Sequence, residues 1–152
     1  PQEDRSYMSK RYLEEQIVAL LGGRAAERMV LGDISTGVGN DIQRATQIAH
    51  KMVASYGMSE KIGTVSFESG HDEVFIGRTM SQGRSYSEQI AAQIDDEVRR
   101  MIATAYDQCE EILKARRSQL ESVANYLLAH ETMTRSEFLT VVGDRALTPA
   151  QA

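Results

Sequence analysis

The sequence predicts a mainly α-helical protein, a helical bundle with a minor short β element. Three observations carry this expectation. Apolar residues recur at intervals of three and four along most of the chain. The prolines, Pro1 and Pro149, lie outside those periodic stretches and interrupt none of them. Ser, Thr and Gly stand where helices need to start and stop.

Ser9 can cap a first helix running to about Leu31. Leu13, Ile17, Leu20 and Leu21 give it an apolar face, continued by Ala25, Met29 and Val30. Gly22-Gly23 lies mid-helix, where glycine is costly, so close packing or a slight kink is expected there. Gly32 supplies a stop. A second helix is expected from about Gly37 to Tyr56, with Thr36 or Ser35 as its cap and Gly57 at its end. Its stripe is Ile42, Ala45, Ala49, Val53 and Tyr56, widened by Ile48 and Met52.

Thr64 to Phe67 and Val74 to Ile76 read as short β segments. The Gly- and Ser-rich stretch from residue 68 to residue 86 is expected to be the most mobile internal part. Ser87, or alternatively Ser85, can cap the longest helix, about Glu88 to Ala115, along which Ile90, Ile94, Val98, Met101, Ala105, Cys109 and Ile112 form a stripe. Leu120, Val123, Ala124, Leu127 and Leu128 define another helix. Thr134-Arg135-Ser136-Glu137 has the form of a capping box opening a short last one.

At 152 residues with 41% hydrophobic side chains, the chain is long enough for one domain with a working core. A net charge of −5 argues against nucleic acid or an anionic membrane surface as partner. The single cysteine, Cys109, excludes an internal disulfide and reads as a small core residue. No apolar run is long enough to cross a bilayer, and the sequence contains no phosphate loop of the G-x-x-x-x-G-K-[ST] type.

Asp41 is the most informative acid. It belongs with Ala45, Ile48 and Met52 at the edge of an apolar face, and a carboxylate so placed needs a cation, several donors or a metal ion. Its plain reading is an acid in the first turns of a helix, favoured by the helix dipole. Glu27 sits near Arg24 and Arg28 and reads as a helix-face acid. Asp95-Asp96-Glu97 reads as a solvated or intersubunit salt-bridging face. His50, nine residues after Asp41, is half a helical revolution away from it. His71 falls in the Gly-rich stretch and His130 near a helix end.

GGRAAERMVLGD, then STGVGNDIQRATQIAHKMV, then SYGMSEKIG, followed by VFIGR, YSEQIA and IDDEVRRMI, closely resembles the peptidase domain of FtsH proteins. These are membrane-anchored, ATP-dependent zinc metalloproteases of the AAA+ class. The resemblance runs from Pro1 to about Gly143, leaving residues 144–152 as a tail. It implies that Asp41 completes a His, His, Asp zinc site. Glu27 is then either a rival ligand or an outer residue orienting a zinc-bound His. The family's H-E-x-x-H signature is missing: His50, His71 and His130 include no pair at i, i+4. The chain is therefore expected to be the C-terminal portion of a peptidase domain, with no catalytic residue of its own and inactive by itself.

The resemblance further implies a homo-hexameric parent with ATP bound elsewhere, unfolded or membrane proteins as substrates, and anchoring through a segment not included here. The parent would work at the cytoplasmic face of a membrane, the bacterial inner membrane in the first instance, with this portion soluble. The alternative is a non-catalytic helical assembly module from a homologue lacking H-E-x-x-H.

Overall fold

The computed structural model describes residues 7–67 and 86–143. Among these residues it contains five helices: α1 (Lys10–Leu31), α2 (Gly39–Ala54), α3 (Glu88–Ala115), α4 (Arg117–His130) and α5 (Arg135–Val142). The chain divides into two units, Pro1–Glu110 and Glu111–Ala152.

In the first unit the start and stop of α1 follow from its sequence. The Ser9 hydroxyl accepts from the Tyr12 amide, and Gly32 ends the helix in the left-handed region at φ 67°. α2 is shorter than its periodic stripe suggests. It starts at Gly39, after Val38, which offers no side-chain cap, so the expected cap at Thr36 or Ser35 is not formed. The Ser35 hydroxyl is used elsewhere, as described below. α3 opens with the Ile90 amide on the Ser87 hydroxyl, 3.3 Å away, and continues through the boundary between the units.

α1 packs along α2. Leu13, Ile17 and Leu21 of α1 meet Ala45, Ala49, Met52 and Val53 of α2 and Ile94, Val98, Met101 and Ala105 of α3 in one apolar cluster. The small residues of α2 let its backbone come close to its neighbours. The glycine pair in α1 divides its roles. A Cβ on Gly22 would meet nothing within 4 Å, whereas one on Gly23 would lie 3.0 Å from the Val38 Cγ1. Gly22→Ala should therefore stabilise the chain by about 1 kcal/mol through helix propensity alone. Gly23→Ala should lose that gain to overpacking. Urea unfolding of the two variants checks the difference.

After α2 the chain turns at Gly57, φ 60°, where a Cβ would press to 3.0 Å from the Thr64 Cα. The expected strand at Thr64–Phe67 is not formed, and no strand occurs among the described residues. The Phe67 amide instead donates to the Ala54 carbonyl at 2.7 Å, docking the segment on the end of α2, and the Phe67 ring meets Tyr86 edge to face at 5.8 Å. A strand needs a partner for its amides. The other expected β segment, Val74–Ile76, lies outside the described residues, as do the tail and, apart from Tyr86, the stretch expected to be mobile at residues 68–86.

In the second unit, α4 packs with α5. The Thr134 capping box forms as the sequence predicts: its hydroxyl accepts from the Glu137 amide, and the Glu137 carboxylate accepts from the Thr134 amide at 2.7 Å. The Gln119 side chain donates to the Val142 carbonyl, and the His130 ring stacks on Tyr126 at 4.2 Å.

Candidate metal centre

Asp41 stands in the first turn of α2, half-buried beside Ile42, three residues inside the helix start. Its carboxylate has no hydrogen bond or ion pair among the described residues. The exposed helix N–H groups around it favour a negative charge. A half-buried carboxylate without donors of its own suits one position in a metal site.

Glu27 is placed differently. Its two carboxylate oxygens face Ser35, eight residues on, in the loop between α1 and α2. One accepts the Ser35 amide at 3.2 Å and the other accepts the Ser35 hydroxyl. The Ser35 oxygen in turn accepts the Gly37 amide at 3.2 Å. These hydrogen bonds, the hydroxyl's first and the amide's second, hold the Glu27 carboxyl below the usual carboxylate range, aided by the charge of Arg24. Glu27 therefore does not pair with Arg28. Neighbouring Arg24 keeps its Nη1 buried without a hydrogen-bond partner.

The histidines are not drawn to Asp41. His50 is nine residues along the same helix, about 13 Å of axial rise away. His130 ends α4, its Nδ1 3.0 Å from the Tyr126 carbonyl, and His71 lies outside the described residues. Among the described residues no group of three or more His, Cys, Asp or Glu side chains converges. Among the described residues Asp41 could therefore serve a metal only as one member of a larger ligand set.

Cys109 is buried, and burial, with the nearby Glu110 charge, pushes its thiol up. It is a core residue, as its place in the stripe suggests. The acidic run needs correction: Glu97 is not solvated but 1% exposed. Its carboxylate accepts the Ser59 hydroxyl at 2.6 Å and the Arg100 guanidinium at 3.0 and 3.1 Å. The spacing of Ile94, Glu97, Val98 and Met101 at i, i+3, i+4 and i+7 was the signal for this burial.

The family model for peptidase family M41 matches residues 1–141. The chain belongs to peptidase family M41. Among M41 relatives it is 49% identical over 146 residues to the ATP-dependent zinc metalloprotease FtsH of Caldicellulosiruptor bescii, covering 96% of this chain and 24% of that protein. It is 50% identical over 138 residues to the ATP-dependent zinc metalloprotease FtsH 1 of Thermoanaerobacter sp., covering 91% of this chain and 23% of that protein. With the FtsH of Thermotoga maritima the identity is 40% over 144 residues, covering 95% and 24%. The chain thus spans about a quarter of the length of these M41 relatives. Among its described residues no helix is long and apolar enough to cross a membrane.

Proposed function

We propose that residues 1–143 are the C-terminal portion of an M41 zinc peptidase domain, and that Asp41 supplies one of three protein ligands to the metal. The observation that carries this is the half-buried Asp41 carboxylate, without a partner among the described residues, at the start of α2. The two remaining ligands and the proton-moving Glu are assigned to an H-E-x-x-H helix upstream. A zinc ion held by three protein ligands would keep an open position for water and lower that water's pKa, so that the upstream Glu could take its proton and leave a nucleophile for the peptide carbonyl. The part of this chain is to hold: Asp41 presents its carboxylate from a helix start, and the packed core of α1, α2 and α3 keeps that helix rigid.

For the whole protein we propose an ATP-dependent endopeptidase, as its relatives are named, with ATP bound outside this chain. We further assign it a homo-hexameric assembly, unfolded or membrane-extracted proteins as substrates, and a place at the cytoplasmic face of a bacterial inner membrane. The 152-residue chain alone should not hydrolyse casein, with or without added zinc, because one carboxylate is not a zinc site. A protein extended upstream through H-E-x-x-H should bind one zinc and show chelator-sensitive hydrolysis. Chelator-sensitive proteolysis by the chain alone would contradict the assignment. An extended protein lacking the signature and binding no zinc would leave a non-catalytic assembly module.

A further inference from the structure

We propose that Glu27, Ser35 and Gly23 form a brace that positions Asp41, a role that rests on Asp41 being a zinc ligand.

The need for a brace is visible at the start of α2. A helix start normally gains a side-chain cap, and α2 has none. The seven residues from Gly32 to Val38 must therefore be ordered by other means. α1 does this from a single face. Gly23 and Glu27 are one turn apart and share that face. Glu27 takes both the amide and the hydroxyl of Ser35. Gly23, by having no side chain, lets the Val38 side chain lie against the α1 backbone.

The loop is thus fixed at two points, Ser35 and Val38. The first is passed on through the bond from the Gly37 amide to the Ser35 oxygen, and a turn closes through the Gly39 amide on the Thr36 carbonyl at 3.1 Å. Asp41 follows the second fixed point by three residues. Its carboxylate has no donors of its own among the described residues, so its place is inherited from the helix start that this brace sets. Ser35 engages one acceptor position on each oxygen of Glu27, which ties the carboxylate to the loop.

The test uses the full-length enzyme with Glu27→Gln, Ser35→Ala, their double variant, Ser35→Thr and Asp41→Ala. Zinc affinity is measured by chelator competition, amide exchange is followed at residues 37–41, and the unfolding midpoint is recorded. Glu27→Gln turns one acceptor into an NH2 group facing a donor, and Ser35→Ala removes the hydroxyl. Each should weaken zinc binding roughly ten- to a hundredfold, speed exchange at residues 37–41, and leave the midpoint near that of the parent. The double variant should be no worse than either single one, because both cut the same link. Ser35→Thr, which keeps the hydroxyl, should restore binding.

Multiplying effects in the double variant overturn the brace. So does an empty site in Glu27→Gln with normal binding in Ser35→Ala, which would place Glu27 at the metal or its His. Unchanged zinc binding and exchange in both single variants, with Asp41→Ala empty, overturns the brace alone. Full zinc occupancy in Asp41→Ala overturns the ligand reading beneath it.

Discussion

Asp41→Ala in the full-length enzyme should empty the zinc site and abolish peptidase activity while leaving the helices in place. Removing one of three ligands must cost more than the roughly ten- to hundredfold loss expected when a residue outside the ligand set is changed. A fall in zinc affinity and in kcat/KM of well over a hundredfold is therefore expected. The cost to folding should be small. Asp41 has no described partner to orphan, and its interaction with the start of α2 is worth about 0.3–1 kcal/mol at a partly exposed site. Zinc content by metal analysis, peptide hydrolysis and a thermal unfolding curve separate the two effects. A variant that unfolds together with its loss of zinc would make Asp41 a structural acid.

Glu97→Ala should destabilise the chain by about 3 kcal/mol. The change removes a side chain that is 1% exposed, leaves a space beside the core, and deprives the buried Ser59 hydroxyl of its acceptor. Arg100 softens the loss, because its side chain is 58% exposed and can return to water. Glu97→Gln should cost less, about 1 kcal/mol, since it keeps the volume and one acceptor.

The same group predicts a pH effect. The Arg100 hydrogen bonds hold the Glu97 carboxyl below its usual value of 4.5, against the opposing effect of burial and with help from Ser59. The folded chain therefore binds this proton more weakly than the unfolded chain. The stabilisation is complete above the unfolded value and is lost as pH falls from about 4.5 through the lower folded value. Urea unfolding should show the wild type and Glu97→Gln converging below about pH 4.5. A gap that stays constant down to pH 3 would mean that the carboxylate charge contributes nothing.

Local signals were readable from the chain where the physics was local. Ser9 and Gly32 bound α1, Ser87 opens α3, and Thr134 with Glu137 opens α5, because each cap involves neighbours a few residues apart. Ser35 does not act as the cap its position suggests, because its partner, Glu27, belongs to the preceding helix and only tertiary packing brings the two together. The charge of Glu97 points to solvent, but its register points inward: an acid in the middle of an apolar stripe is buried when Ser59 and Arg100 can satisfy it. Thr64–Phe67 has strand-like residues, but the end of α2 supplies its hydrogen bond. Asp41 was legible as an acid at the edge of a core, while the proposal that it binds zinc came from the resemblance to FtsH proteins. Its expected ligand partners are not encoded in these residues.

The second unit carries a consequence for sequence change. Neither α4 nor α5 hides a residue completely, and Leu128 is 84% exposed. Within this chain a helix that conceals so little places few demands on the size or charge of most of its residues, so most substitutions along it should cost little folding stability. The constraint collects instead at a few polar joints: Thr134 with Glu137, and Gln119 with the Val142 carbonyl. In the first unit the reverse holds. There the alanines of α2 and the missing side chain of Gly23 record, in the letters themselves, how close two helices must stand.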